Sequence, residues 1–291
     1  SICSSPESGD IRVAIKAVEK GVFSMHATSD LKVGDEIEIT APEGRFLLNS
    51  EANRNYIGFA AGSGITPILS MVKTVLAKES TSTFTLVYGN KSEADTIFFS
   101  ELNTLKKSFS DRFKLHYIFS RENVKNELRG RIDENVTNYF VKNMYKETSF
   151  DTAFLCGPEE MIHEVSKTLE SNKIAKENIH FELFTASIDE SAVSEVKEGA
   201  TEVTILLDDE IATFTMQQTD TILAASLRND LDAPYSCQGG VCSSCLGKVT
   251  EGKAVMVKNS ILTDGEIEDG LILTCQAHPT TAKITIDFDD V

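Results

Sequence analysis

The apolar and polar positions along the chain fall into three textures. In residues 11–18, "IRVAIKAV", apolar and polar side chains alternate as they do in a half-buried strand, and "DEIEITAP" at 35–42 repeats the alternation after "KVG". The first 49 residues therefore predict β structure. From Tyr56 the texture changes to short apolar runs followed by amphipathic stretches: "YIGFA" then "PILSMVKTVLAKE", "FTLVYG" then "FFSELNTLKK", "TAFLC" then "EEMIHEVSKTLESN". Strand alternating with helix predicts a parallel sheet with crossover helices over 50–186. The segment 187–200, "SIDESAVSEVKEGA", is small and acidic without a sustained apolar face and reads as a linker. In 201–291, "EVTILL" and "ATFTM" flank "DDEI" as a hairpin, "TILAASLRN" predicts a short helix and "KITIDF" a further strand. No internal repeat interrupts this order.

Composition bounds what such a chain can do. With 291 residues, 41% hydrophobic and 25% charged, it is a folded globular protein of two or three domains. The net charge of −17 argues against nucleic acid or an anionic membrane surface as partner. The excess is uneven: residues 200–291 hold 15 Asp and Glu against 5 Lys and Arg. This end is either simply soluble or an acidic docking face for a basic partner. No apolar run approaches the roughly 18 residues of a membrane span, and "SICSSPESGD" lacks the blocks of a secretion signal, so the expected address is cytoplasmic. Thiols stay reduced there, and close cysteines read first as metal or redox chemistry. The absence of an initiator Met suggests that something precedes Ser1.

Three of the six cysteines crowd into "PYSCQGGVCSSCLGKV". Cys237, Cys242 and Cys245 give CxxxxCxxC, and Cys275 follows after 29 intervening residues. This is the plant-type ligand spacing for a [2Fe-2S] cluster, in which four thiolates hold two irons. Gly239 and Gly240 lack a Cβ, which lets the loop take positive φ and bring N–H groups to the cluster sulfurs; Ser236, Ser243 and Ser244 are further candidate donors. The alternatives are structural zinc, which commonly uses two CxxC pairs where only Cys242 and Cys245 form one, and disulfides. The five histidines show no ligand spacing.

Two glycine turns stand after apolar runs. "AAGSGITPILS" places Gly62, Ser63 and Gly64 behind a strand, with Thr66 where an N-cap belongs and Pro67 at the first helical position. "CGPEEM" repeats the arrangement, with Cys156 and Gly157 after a strand and Pro158 opening a helix. Free N–H groups and a helix dipole favour a phosphate in such turns, and both lie at carboxyl ends of parallel strands, where open α/β sheets bind ligands.

"CQGGVCSSCLGKV" with "LTCQAHP" resembles the plant-type ferredoxins, which have a β-grasp fold, and "GSGITP" with "CGPEEM" resembles the nicotinamide-binding domain of the ferredoxin–NADP reductase family. The likeness implies a multidomain protein: a partial β-barrel flavin lobe (1–49), an α/β parallel-sheet NAD(P)-binding domain (50–186) and an α+β β-grasp ferredoxin domain (201–291). It implies that the first turn contacts the pyrophosphate of NADPH and that Cys156 lies near the nicotinamide as the catalytic residue. Ser120 and Arg121 of "FSRE" match the positions that meet the 2′-phosphate, where a forked permanent cation is apt. Cys237 and Cys242 would hold one iron, Cys245 and Cys275 the other.

The family also has an FAD-binding barrel with the signature RxYS. Ser1 matches its last position, and the preceding Arg and Tyr are not in this sequence, which suggests a fragment with a truncated barrel. By the same likeness Ile2, Cys3 and Lys16 lie near the flavin, and Gly21 and Ser24 of "GVFS" form a second pyrophosphate contact. Nicotinamide gives two electrons at once and a [2Fe-2S] cluster takes one, so a chain with both end stations implies FAD between them. The order resembles the reductase components of bacterial multicomponent oxygenases, with an oxygenase component or other acceptor protein as partner. The segments "SICSSP", "VYGN" and "CGPE" resemble members serving a diiron oxygenase that acts on an aromatic acyl-CoA. Lys91 departs from the Arg that many relatives have after "VYGN". The competing readings are a reductase of a Rieske or alkane hydroxylase, and an iron–sulfur carrier without flavin function.

Overall fold

The computed structural model describes all residues except 20, 40, 43, 126 and 185–187. The chain divides into two compact units, one of Ser1–Ala41 with Arg45–Glu182 and one of Pro42–Gly44 with Leu183–Val291. The expected boundary between 186 and 187 falls on residues outside the described ones.

In chain order the first unit contains α1 (Val22–Ser29), β1 (Asn55–Ala61), α2 (Ile65–Lys78), β2 (Thr83–Asn90), α3 (Phe99–Ser108), β3 (Phe113–Phe119), β4 (Leu128–Arg129), α4 (Glu134–Asn138), β5 (Thr152–Cys156), α5 (Glu159–Ser171) and β6 (Ile179–Glu182). The sheet runs β4-β3-β2-β1-β5-β6 with every pairing parallel. Its central strands read as continuous apolar runs because helices cover both faces. Ile65, Ile68, Leu69, Val72, Val75 and Leu76 recur at helical spacing and form the buried face of α2. Strand order reverses at β1, which has β2 on one side and β5 on the other. That is the topological switch point at which open α/β sheets leave a crevice beyond the strand ends.

The strands expected at 11–18 and 35–42 are not formed among the described residues; a single bridge, Ile2 to Val13, is the pairing in that region. The alternating pattern is present, and Ile11, Val13, Val18, Ile37 and Ile39 stand exposed. A strand persists only when a neighbour takes up its N–H and C=O groups, and no described strand lies beside these stretches to do so. The multidomain architecture of the chain stands on its two later sheets.

His116 on β3 is held inside the first unit, its Nε2 sharing a 2.7 Å hydrogen bond with Tyr145 Oη and its ring 4.8 Å from that of Phe140. Burial, helped by Lys106 and Lys114, pushes its pKa from 6.5 down to about 4. The unfolded chain therefore binds this proton more readily than the folded one. Stability from this site is intact above about pH 6.5 and is lost as pH falls toward about 4, amounting to about 2 kcal/mol at pH 5. Urea midpoints compared at pH 7.5 and 5 should show this loss, and His116→Phe should shrink it.

The second unit contains α6 (Glu190–Glu195), β7 (Ala200–Leu207), β8 (Glu210–Gln217), α7 (Ile222–Arg228), β9 (Leu246–Glu251), β10 (Ala254–Met256), α8 (Asp264–Glu268), β11 (Leu271–Leu273), β12 (Ala277–Pro279) and β13 (Lys283–Asp287). The acidic stretch read as a linker thus carries a helix, α6, capped by the Asp189 side chain, while the Asp189 N–H donates to Val257 O. The main sheet runs β11-β9-β13-β7-β8, with β7 and β13 parallel at its centre and the remaining pairs antiparallel, which is a β-grasp arrangement. The β7–β8 hairpin turns through Asp208 and Asp209, both at positive φ, as a two-residue loop requires. Thr221 caps α7, which packs with Val203, Ile205, Ile284 and Ile286 into one core. Among the described residues, no helix is long and apolar enough to cross a membrane.

Candidate functional site

In the first unit, the two glycine turns meet. Gly62–Gly64 form a 3-10 turn after β1, and Cys156–Gly157 follow the adjacent strand β5. A Cβ on Gly64 would lie 2.0 Å from the Cys156 carbonyl oxygen, and one on Gly157 would lie 3.1 Å from Ala61 Cβ. Only glycine allows this approach. Tyr88, from β2, donates its hydroxyl to Gly62 O at 2.9 Å and holds the first turn, whose Gly62 has φ +54°.

Thr66 does not cap the helix. Gly64 is the N-cap of α2, Thr66 and Pro67 lie within its first turn, and Thr66 Oγ1 donates to Ser63 O at 3.1 Å. The 3-10 turn before α2 displaces the start by two residues. The result still suits an anion: neither α2 nor α5, which begins after Pro158, has a side-chain cap at its N-terminus. Glu159 and Glu160 in the first turn of α5 make α2 the more hospitable of the two.

The same sheet edge continues two strands over. Ser120 and Arg121 extend the ladder past β3, their N–H groups donating to Asn90 O and Lys91 O at 2.9 Å each. Arg121 and Lys91 are exposed. Between them and the glycine turns lies a residue that sequence reasoning missed: Asn90, whose buried Nδ2 makes no hydrogen bond of normal geometry among the described residues, although its side chain lies close enough to the Tyr88 hydroxyl to influence it. A buried donor without an acceptor is costly, and here it sits at the open end of the sheet. Nothing in the pattern of "VYGN" distinguishes that amide from an ordinary loop side chain.

Cys156 is fully buried at the end of β5. Burial, with Glu182 nearby, pushes its pKa far up, so the thiol is neutral and unsuited to attack as a thiolate. It can line a nicotinamide pocket without reacting.

The residues assigned to the flavin are placed in two groups. Ser1 donates to Glu182 Oε2, Ile2 bridges to Val13, and Cys3 is buried with its Sγ 3.3 Å from Arg12 O. This stretch is stapled to α2 by Lys73 Nζ on Cys3 O (3.0 Å) and Ser70 Oγ on Ser4 O (2.6 Å). Lys16 is exposed on a separate stretch, and Gly21 caps α1, in which Ser24 Oγ accepts from the Val18 N–H at 3.2 Å. Among the described residues, no hydrogen bond links the two groups.

In the second unit the four cysteines interact as two pairs, Cys237 with Cys242 and Cys245 with Cys275. Cys245 and Cys275 are buried, Cys242 half-buried and Cys237 exposed. The nearness of Cys237 lowers the pKa of Cys242, and that of Cys275 lowers the pKa of Cys245. Among the described residues no three His, Cys, Asp or Glu converge as ligands of a single ion. Two thiol pairs side by side match the needs of two irons better than those of one tetrahedral zinc. The Gly239 N–H donates to Cys237 Sγ at 3.3 Å. The positive φ expected at both glycines falls on Gln238 (+50°) and Gly240 (+73°) instead, and a Cβ on Gly240 would lie 2.8 Å from Lys258 O.

A doubly wound sheet with a glycine-lined edge, joined to a β-grasp unit with four paired thiols, defines an iron–sulfur oxidoreductase. Residues 59–167 match the oxidoreductase NAD-binding domain, and residues 205–280 match the 2Fe-2S iron-sulfur cluster binding domain. The chain is 36% identical over 294 residues to a subunit of 1,2-phenylacetyl-CoA epoxidase from Escherichia coli (strain K12), covering 99% of this chain and 83% of that protein. It is 29% identical to the ferredoxin reductase component of 3-ketosteroid-9-alpha-monooxygenase from Mycobacterium tuberculosis, covering 100% of this chain and 79% of the relative. The solved structure of phthalate dioxygenase reductase superposes with a TM-score of 0.64 at 23% identity over 99% of this chain and 82% of that one, which shows the shared fold. The chain belongs to the ferredoxin–NADP reductase-like oxidoreductases that carry a plant-type 2Fe-2S domain.

Proposed function

We propose that this protein is the reductase component of an oxygenase system, drawing electrons from NADPH and passing them through FAD and a [2Fe-2S] cluster to an oxygenase that acts on an aromatic acyl-CoA of the phenylacetyl-CoA kind. The observation that carries the reading is the meeting of Gly62–Gly64 with Cys156–Gly157 at the switch point of a chain that also holds two thiol pairs. The likeness to the phenylacetyl-CoA epoxidase protein supports the choice of acceptor. When bound, the nicotinamide supplies hydride, the flavin divides the electron pair, and the cluster carries electrons singly.

The protein's own residues bind and position. The first turn of α2 offers N–H groups to a pyrophosphate, Asn90 Nδ2 offers a further donor at the end of β2, and Ser120 and Arg121 offer a hydroxyl and a guanidinium to a 2′-phosphate. Cys156 closes the crevice as a neutral, water-excluding wall. Cys237, Cys242, Cys245 and Cys275 would hold the iron. Ser1, Ile2, Cys3, Lys16, Gly21 and Ser24 are the residues that would meet the flavin.

Arg121→Ala should lower kcat/KM for NADPH by about tenfold to a hundredfold, the value of a lost charge-assisted contact, and leave that for NADH unchanged. Equal losses with both nucleotides would exclude a 2′-phosphate role. The whole reading is tested by iron, sulfide and flavin analysis of the purified chain with its visible spectrum, followed by NADPH-driven reduction of a phenylacetyl-CoA epoxidase oxygenase. Iron and sulfide with no flavin uptake from added FAD would make the protein a carrier, and preference for a Rieske or alkane hydroxylase would change the acceptor.

A further inference from the structure

We infer that Gln276 and Ser260 are positioning residues that aim backbone N–H groups at Cys237 and thereby set the electron affinity of the metal centre held by the four cysteines. The inference rests on the cluster reading given above and concerns two side chains that are not themselves ligands.

Gln276 follows Cys275 and is 8% exposed. Its Nε2 donates to Gln238 O at 2.8 Å, across 38 residues of sequence. The peptide joining Gln238 to Gly239 is planar and trans, so a carbonyl held on one side leaves its N–H directed to the other. That N–H belongs to Gly239, and it is the one that donates to Cys237 Sγ at 3.3 Å. Holding the carbonyl also secures Gln238 at φ +50°, a conformation that a non-glycine residue adopts only when its surroundings compensate.

The next peptide but one repeats the device. Gly240 O accepts from both Ser260 Oγ (3.0 Å) and Ser260 N (3.1 Å). Its partner across the peptide plane is the Val241 N–H, which is directed away from Ser260 and whose nearness favours the Cys237 thiolate. Ser260 is presented by a turn that Asn259 ties, its Oδ1 accepting from the Ile261 and Leu262 N–H groups at 3.1 and 2.9 Å. Two carbonyls are thus held by donors from a distant part of the fold, and one of the corresponding N–H groups, that of Gly239, donates to the exposed ligand sulfur. Hydrogen bonds to a ligand thiolate withdraw charge from it and favour the reduced, more negative state of the centre.

The test uses the full chain. Gln276→Leu keeps the side chain's bulk and the backbone bonds but removes the donor; Ser260→Ala keeps the Ser260 N–H and removes only the hydroxyl. Potentials are read by anaerobic dye-equilibrated titration followed by electron paramagnetic resonance, so that only the intact centre is counted. Gln276→Leu should move the potential negative, making one-electron reduction about threefold to tenfold less favourable, and Ser260→Ala should move it the same way by less. A purely structural role would lower iron content and the unfolding midpoint while leaving the potential of the intact fraction unmoved, and that result would overturn the inference. If Gln276→Leu assembles no centre, the Ser260→Ala potential decides alone, with no shift counting against the inference. Unaltered chain without iron and sulfide would instead defeat the underlying cluster reading, so the two failures are distinguishable.

Discussion

Gly64→Ala is expected to abolish nicotinamide binding and to destabilise the first unit. The added Cβ would lie 2.0 Å from the Cys156 carbonyl oxygen and 2.4 Å from its carbon, which are backbone atoms that no rotamer change can remove. β1 and β5 are paired along Tyr56–Ala60, so the two turns cannot part without loosening the centre of the sheet. Overpacking of this sort costs about 1–3 kcal/mol when side chains can adjust, and the rigid neighbour places Gly64→Ala at about 3 kcal/mol or beyond. Nucleotide affinity should fall by at least about a hundredfold, because the first turn of α2 moves away from any pyrophosphate it would hold. Thermal unfolding with isothermal titration of NADP+ checks both parts. Gly62→Ala, with open space around its Cβ but φ +54°, should cost only the lesser strain of a left-handed residue.

Cys275→Ser is expected to remove the iron–sulfur part of the visible spectrum and all acid-labile sulfide of the protein. Cys275 is the one ligand candidate outside the loop, and it pairs with Cys245 in the buried part of the second unit. A serine hydroxyl does not supply a thiolate, and the remaining three thiols cannot close the set of four. Because Thr274 Oγ1 and N both donate to Cys245 O, at 2.9 and 3.0 Å, the strand should stay in place and the fold should survive the exchange. Iron content near zero with an unaltered far-ultraviolet dichroism is the expected pair of results. Retention of bound iron with inorganic sulfide in Cys275→Ser would overturn the assignment of that residue. Cys3→Ser, far from the loop in sequence and bonded to Arg12 O, should leave iron content unchanged.

The alternation of strand and helix was legible from apolar runs because each central strand is buried on both faces, and the hairpin of the second unit was legible because "DDEI" interrupts two β-branched stretches. The same reasoning misread 11–18 and 35–42. Period-two patterning states only which faces a strand could bury, and strand formation waits on a neighbour that sequence pattern cannot guarantee. The cysteine motif was readable because three of its four ligands are close in sequence. Gln276 and Ser260 were not, since their bonds to Gln238 and Gly240 cross 38 and 20 residues and use backbone carbonyls, which every sequence has. Asn90 is similar: its lack of a partner exists only once the sheet has been built around it. Thr66 illustrates a smaller limit, a residue of capping type displaced from the cap when the preceding glycines coil into a 3-10 turn.

The parallel pairing of β7 with β13 has a consequence for biosynthesis. The sheet's two middle strands are separated by nearly the whole of the second unit, so its centre cannot form until Lys283–Asp287 has left the ribosome. Until then Cys237, Cys242, Cys245 and Cys275 ride on a nascent segment that lacks its scaffold, whereas the first unit, already translated, is free to condense. Metal loading is thereby deferred until translation of the unit is complete, and the thiols are at their most vulnerable to oxidation in that interval.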